Sequence, residues 1–127
     1  MLTVIETKTL RTAVLGAAGQ LGREVVAALV RRSYAVRAIV RRAPVPEFED
    51  SVDVRVADAR ETGLLREVLS GCDAVVNAIG AGTLRRNNIE SSATGIAIPV
   101  AEQIGARRYI AISAGMVALD WDLRHIW

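Results

Sequence analysis

Three glycines early in the chain stand at a spacing that suits phosphate binding. Gly16, Gly19 and Gly22 occur in the run GAAGQLG, which follows the aliphatic segment 12–15 and opens a segment with helical apolar spacing. The first glycine permits a tight turn, the second lets the backbone approach a ligand, and the third lets the helix pack closely. Since a helix N-terminus carries partial positive charge, the run predicts a pyrophosphate site.

The candidate residues of this turn share their position between strand and helix. They are Gly16, Ala18, Gly19, Gln20, Leu21 and Gly22. The alternative is a glycine turn that binds nothing. A P-loop is excluded, because no Gly-Lys-Ser/Thr follows the run.

Two arginines end the second aliphatic segment, 35–40. Arg41 and Arg42 stand where an acidic residue would bond the ribose hydroxyls of NAD, and no acidic residue occurs before Glu47. A guanidinium group can instead pair with the 2′-phosphate of NADP. The sequence therefore favours NADP(H) over NAD(H), with Arg41 as the first candidate, whereas Arg42 fits a solvated surface equally well and Arg37 is a poorer candidate.

Small and acidic residues after the next two strands complete the candidate site. Asp58 and Ala59 follow the third strand, where the carboxylate could accept a bond from adenine or from nearby backbone, or could cap the next helix. Ala78, Ile79 and Gly80 end the fourth strand, and they either leave room for the adenosine and bridging phosphates or simply terminate the strand.

The elements that must position these residues alternate between strand and helix. Strands are predicted at 12–15, 35–40, 52–56, 74–79 and 109–113, and helices at 20–32, 62–69 and 89–104. Pro44 and Pro46 argue against a helix over 41–51, and Pro99 predicts a kink or break in the third helix. Either Thr62 or Asp58 is expected to cap the second helix. The predicted apolar stripe of the first helix is Leu21, Val25, Ala28 and Leu29.

This alternation predicts an α/β fold, a Rossmann-type doubly wound parallel sheet of about five strands in the order 3-2-1-4-5. With 127 residues, 51% hydrophobic but only 4% aromatic, we expect one domain with an aliphatic core. Its parts are a leader over 1–10, a core over 11–113 and a tail over 114–127.

Composition narrows the function classes. The net charge is +2, Lys8 is the only lysine, and the sequence has no recognition motif for nucleic acid. Nucleic acid is therefore not expected as a partner. Cys72 is the only cysteine and His125 the only histidine, which argues against an intrachain disulfide and a metal site. We find no signal peptide and no apolar run that could span a membrane, so a cytoplasmic protein is expected.

The ordered set of landmarks resembles the atypical short-chain dehydrogenase/reductases, in particular the NAD(P)H-binding group of NmrA-like proteins and biliverdin-IXβ/flavin reductases. The matching segments are 13–22, 40–41, 56–59, 72–76 and 106–114. The resemblance implies an NADP-type cofactor and hydride transfer to a small conjugated acceptor such as a quinone or flavin. By position, Ser113 resembles the serine that lies near the nicotinamide and substrate in that family, although it could equally satisfy nearby backbone.

Two departures from the family leave other functions open. The usual Tyr/Lys pair, four residues apart, is missing, since Ala38 follows Tyr34 and Ser113 follows Tyr109 at that spacing. Family members also continue well past the fifth strand, so we expect a C-terminally short form with an unprotected fifth strand. Trp121, Ile126 and Trp127 could cover that edge, could pack against a second subunit in a homodimer, or could begin a helix whose remainder is missing. The alternatives to an oxidoreductase are a non-catalytic NADP(H) redox sensor and an inactive cofactor-binding remnant.

Overall fold

The structure is a computed structural model that describes residues 10–79, 89–112 and 118–122. Its strands and helices alternate along the chain up to the fifth strand, except that β3 follows β2 with no helix between them. In chain order they are β1 Arg11–Leu15, α1 Gln20–Arg31, β2 Ala35–Val40, β3 Asp53–Val56, α2 Thr62–Leu69, β4 Ala74–Asn77, α3 Ile89–Gln103, β5 Arg108–Ile112 and β6 Ala118–Asp122. The proline-containing segment 41–51 contains no helix, which confirms that prediction.

The sheet has the order β3-β2-β1-β4-β5-β6, and its first five strands are parallel. The predicted 3-2-1-4-5 order is therefore confirmed. β6 was not predicted as a strand; it pairs antiparallel with β5, with Trp121 opposite Tyr109. The expectation of an unprotected fifth strand is wrong, because β5 has a partner on both sides.

Helices cover both faces of the sheet, and alternate residues of each strand face opposite layers. Leu15 packs in a cluster with Leu65 of α2 and Val100 of α3. Its neighbour Val14 belongs to a second cluster with Val26 of α1. Both faces of β1 are thus buried, which explains why its sequence is continuously apolar.

Three local predictions need correction. In the predicted stripe of the first helix, Val25 and Leu29 pack against the core, whereas Leu21 is 43% exposed. The buried residues of this helix are Gly22 and Val26, which the stripe did not include. The third helix continues through Pro99, so the break that was one of the two predicted outcomes is absent. Pro99 and Gly95 are both exposed, so water can reach the carbonyl that loses its amide partner.

The predicted helix cap on α2 is also wrong. Its N-cap residue is Glu61, which makes no side-chain capping bond, and Thr62 is already the first helical residue. Asp58 instead accepts a hydrogen bond from the backbone amide of Arg60, two residues later, which closes a turn before the helix.

A buried arginine ties the end of α2 to the sheet. The Nη1 of Arg37 donates to the carbonyl oxygens of Val68 and Ser70, each at 2.8 Å, and its Nε donates to Asp53 at 2.9 Å. The side chain of Arg37 is therefore engaged in holding α2 to the sheet, which is consistent with its being a poorer candidate for cofactor binding. Within the described residues, no helix is both long enough and apolar enough to cross a bilayer.

Candidate functional site

A cleft of about 250 Å³ opens where β1, β2, β3 and β4 end. In open parallel α/β sheets, ligands bind outside the carboxyl ends of the strands. The cleft brings together much of the predicted site, from four separate segments. The predicted residues that line it are Gly16, Ala18, Gly19, Arg41, Asp58, Ala59, Ala78 and Ile79.

Backbone hydrogen bonds continue the sheet beyond the strand ends and shape the cleft wall. The amide of Ala17 donates to the carbonyl of Ile39, and the amide of Ala78 donates to the carbonyl of Leu15 at 3.0 Å. A similar bond of 2.9 Å joins the amide of Ala57 to the carbonyl of Val40. The segments that line the cleft are therefore held to one another by bonds that do not depend on side chains.

The glycine turn is built from close backbone approaches. Gly16 has a φ of +73°, and a Cβ on it would lie 2.9 Å from the amide nitrogen of Ile79. A Cβ on Gly22 would overlap the carbonyl oxygen of Gly16 and approach the Cα of Ala17 to 2.8 Å. The helix therefore packs against the turn itself at Gly22, rather than against a strand.

Gly19 is different, because space beside it is open. It is the N-cap of α1, no side chain caps the helix there, and the first turn contains no acidic residue. An added Cβ would find one neighbouring atom within 4 Å, the carbonyl oxygen of Gly16 at 3.5 Å. A helix start next to a cleft, with no side chain on its N-cap residue and no carboxylate in its first turn, is compatible with a bound phosphate.

Three charged side chains meet at another part of the cleft. Asp58 accepts from the Nε of Arg60 at 3.0 Å and from its Nη2 at 2.8 Å, which is a two-bond pairing. The Nε of Arg41 lies 3.5 Å from the same carboxylate. These bonds from Arg60, aided by the nearby charge of Arg41, hold the pKa of Asp58 far below its ordinary value, although partial desolvation opposes the shift. Asp58 is therefore ionised between two cations.

Asn77 supports the cleft from beneath. Its Oδ1 accepts from the backbone amide of Ile79 at 3.0 Å, and its Nδ2 donates to the hydroxyl of Tyr109 at 2.9 Å. Both side chains are buried. Asn77 thus positions the segment that approaches Gly16.

Not every predicted residue lines the cleft. Gln20, Leu21 and Gly22 follow the lining residue Gly19 at the start of α1, and Arg42 is exposed beside Arg41. Gly80 and Ser113 lie outside the described residues. Sequence reasoning missed the lining residues Leu15, Ile39, Ala57 and Arg60. For Arg60 the available signal was its position two residues after Asp58, a spacing that suits an aspartate-closed turn.

Comparison with known proteins supports the binding of a nicotinamide dinucleotide. A family model described as NAD(P)H-binding matches residues 16–126. A curated protein, the 4-hydroxy-2-methyl-3-oxo-4-farnesyl-3,4-dihydroquinoline-1-oxide ketoreductase of Stigmatella aurantiaca, is 33% identical over 85 residues, which cover 64% of this chain and 25% of that protein.

Solved structures show the same fold. The oxidoreductase ylbE of Lactococcus lactis superposes with a TM-score of 0.71 at 21% identity, covering 80% of this chain and 47% of that one. A short-chain dehydrogenase/reductase superfamily protein from Agrobacterium tumefaciens, solved with bound NAD, gives a TM-score of 0.68 at 23% identity, covering 83% and 33%.

The chain spans about a quarter of the length of the curated relative and between a third and a half of these two structures. The family match nevertheless includes the glycine turn, all of the cleft except Leu15, and most of the sheet. The chain therefore belongs to a family of NAD(P)H-binding domains, and its cofactor is a nicotinamide dinucleotide.

Proposed function

We propose that this chain binds NADP(H) in the cleft and is part of a reductase that passes hydride to a small conjugated acceptor, such as a quinone or flavin. The observation that carries the proposal is the position of Arg41, which lines the same cleft as the glycine turn. A carboxylate at the end of β2 would repel a 2′-phosphate, whereas a guanidinium group attracts it.

The residues divide according to the part of the cofactor that they suit. The start of α1, from Gly16 and Ala18 through Gly22, would hold the pyrophosphate with its backbone amides. Arg41, with Arg42 beside it, would face the ribose that carries the 2′-phosphate. The adenosine would lie against small residues from the ends of β3 and β4, where bulky side chains would leave no room. These are Ala59, Ala78, Ile79 and Gly80.

Asp58 is assigned to holding neighbouring side chains rather than to binding adenine. Both of its oxygens already accept bonds from Arg60. We therefore assign it to the arrangement of the neighbouring arginines rather than to a bond with the adenine amino group.

NADPH, when bound, would supply a hydride to the acceptor and become NADP⁺. For a ketone, the hydride would form a new C–H bond at the carbonyl carbon, and the carbonyl oxygen would take up a proton from water. Ser113 follows β5 directly in sequence, and we propose that its hydroxyl donates a hydrogen bond to that oxygen. The ketoreductase relative acts, by its name, on a ketone of a dihydroquinoline oxide, which is a conjugated carbonyl compound. Within the wider family we place the chain near the NmrA-like proteins and flavin reductases.

A second candidate, an NADP(H)-binding redox sensor, is favoured by the positions of the tyrosines. Tyr109 is fully buried and bonded to Asn77. Tyr34 precedes β2, at the end of the sheet opposite to the cleft. Neither tyrosine can therefore protonate a substrate held at the cleft. A sensor would bind the cofactor and report its redox state without turnover.

Calorimetric titration of the full chain with NADPH and with NADH tests the binding step. We expect NADPH to bind more tightly than NADH. If neither cofactor produces a heat of binding, the proposed function is refuted. NADPH oxidation should then be followed with a panel of quinones, flavins and cyclic ketones. Turnover that is lost in Ser113→Ala, with cofactor affinity retained, supports the reductase. Tight binding with no turnover on any acceptor supports the sensor instead.

A further inference from the structure

The charged group in the cleft consists of Arg41, Asp58 and Arg60, of which Arg60 was not predicted from the sequence. Arg41 alone, paired with Asp58, would form a neutral couple with little attraction for an anion. Arg60 also lines the cleft, and its bonds to Asp58 at 2.8 and 3.0 Å are shorter than the 3.5 Å contact of Arg41. Arg60 therefore takes the negative charge of Asp58, and the group as a whole keeps a net positive charge.

Arg41 is correspondingly free to change partner. Its 3.5 Å contact with Asp58 is too long for a good hydrogen bond, and its side chain is 49% exposed. Within the part of the chain that the structure describes, its guanidinium group donates no hydrogen bond to another side chain. An anion that approaches Arg41 therefore has little to displace.

Arg60 also keeps donors to spare. A guanidinium group has five N–H bonds, and the pairing with Asp58 engages Nε and Nη2. The remaining N–H bonds belong to a side chain that is 40% exposed at the cleft. Glu61, the next residue, contributes negative charge near Arg60, but it is exposed and does not line the cleft, so solvent screens it.

We infer that Arg60 and Arg41 together form a clamp for the 2′-phosphate monoester of NADP(H), in which Asp58 holds Arg60 in place. This inference rests on the proposed function. A phosphate monoester carries between one and two negative charges at neutral pH, so it matches two guanidinium groups whose charge is only partly compensated. The ribose hydroxyls of NAD(H) offer no such charge, so the clamp discriminates between the two cofactors.

The test is Arg60→Gln, with Arg55→Gln as a matched control. Arg55 makes a similar contact, donating from Nε to the carboxylate of Asp53 two residues away at 2.9 Å, but it does not line the cleft. Calorimetry should show NADPH binding weakened about tenfold in Arg60→Gln, with NADH binding changed less than about twofold. Arg55→Gln should leave both affinities unchanged, and thermal unfolding checks that each variant is folded.

Further variants separate charge from geometry. Arg60→Lys keeps the charge without the planar fork, so it should recover part of the lost NADPH affinity. The preference of the unmodified protein for NADPH should shrink as salt is raised, because added ions screen exposed charges.

The possible failures are distinct. Equal losses for NADPH and NADH in Arg60→Gln, or no loss for either, would overturn the clamp while dinucleotide binding stands. Equal affinity of the unmodified protein for both cofactors would also overturn it. If neither cofactor binds the unmodified protein, the proposed function fails as well.

Discussion

The side-chain amide of Asn77 on β4 donates a hydrogen bond of 2.9 Å to the hydroxyl of Tyr109 on β5. Both side chains are buried, and the Oδ1 of Asn77 also accepts from the amide of Ile79, which lines the cleft. A polar contact inside the sheet therefore connects core packing to the shape of the cleft.

Tyr109→Phe should lower the free energy of unfolding by about 1–3 kcal/mol, because it removes the acceptor of a buried amide donor. The ring still fills its position, so the bond between Asn77 and Ile79 should persist and NADPH affinity should change little. Urea unfolding followed by circular dichroism measures the first effect and calorimetry the second. An unchanged unfolding midpoint would show that this bond does not stabilise the fold.

Gly22→Ala should destabilise the protein by more than about 2 kcal/mol, because the new methyl group would overlap the Gly16 carbonyl and force the helix away from the turn. The matched control is Gly63→Ala in α2, where an added Cβ meets nothing within 4 Å. That variant should be stabilised by about 0.5–1 kcal/mol, since alanine favours a helix. Equal effects of the two substitutions on urea unfolding would contradict the close approach at Gly22.

Gly19→Val tests the pyrophosphate assignment with little effect on the fold. The φ of −73° and ψ of 165° at Gly19 are accessible to valine. Among the described residues, apart from its chain neighbours, the nearest atom to an added Cβ is the Gly16 carbonyl oxygen at 3.5 Å. We expect stability to change by less than about 1 kcal/mol and NADPH affinity to fall by at least about tenfold, because the branched side chain excludes the phosphate. Affinity equal to that of the unmodified protein would refute the assignment.

Much of the fold was predictable because its signals are local. The strands β1, β2 and β4 are buried on both faces, so their sequences are continuous aliphatic runs. The turn at Gly16 requires a positive φ and a close approach to Ile79, and both requirements select glycine in the sequence itself. The alternation of strands and helices predicts a parallel sheet, and the glycine turn favours the strand order of dinucleotide-binding folds.

The remainder depends on contacts between distant residues. Asn77 looks like an ordinary strand residue until Tyr109, 32 residues later, is placed beside it. The role proposed for Arg60 is visible only when the fold brings Arg41, from the end of another strand, to the carboxylate of Asp58. The antiparallel pairing of β6 was missed because it depends on the exposed edge of β5 rather than on any local pattern.

Arg37→Leu should lower the free energy of unfolding by about 2–4 kcal/mol, because the carbonyl groups of Val68 and Ser70 lose their charged donor at the end of α2. Asp53 keeps its contact with Arg55, which limits the loss. Arg55→Leu is the control; its ion pair with Asp53 is exposed, so we expect a much smaller change in stability. Similar urea midpoints for the two variants would contradict a structural role for Arg37.

Stability should fall in acid in a way that depends on Asp53 and Asp58. Bonds from Arg55 and Arg37 lower the pKa of Asp53, bonds from Arg60 lower that of Asp58, and desolvation opposes both shifts. A carboxyl group with a lowered pKa in the folded state stabilises the fold above its unfolded pKa, near 3.8, and this contribution disappears as the pH falls towards the folded value. The ionisation of these two groups should therefore affect the urea midpoint little above about pH 5 and lower it below about pH 4.

Asp58→Asn should reduce that decrease, with Asp50→Asn as the control for loss of an exposed carboxylate outside the cleft. If both variants follow the pH dependence of the unmodified protein, the ion pair with Arg60 does not contribute to stability.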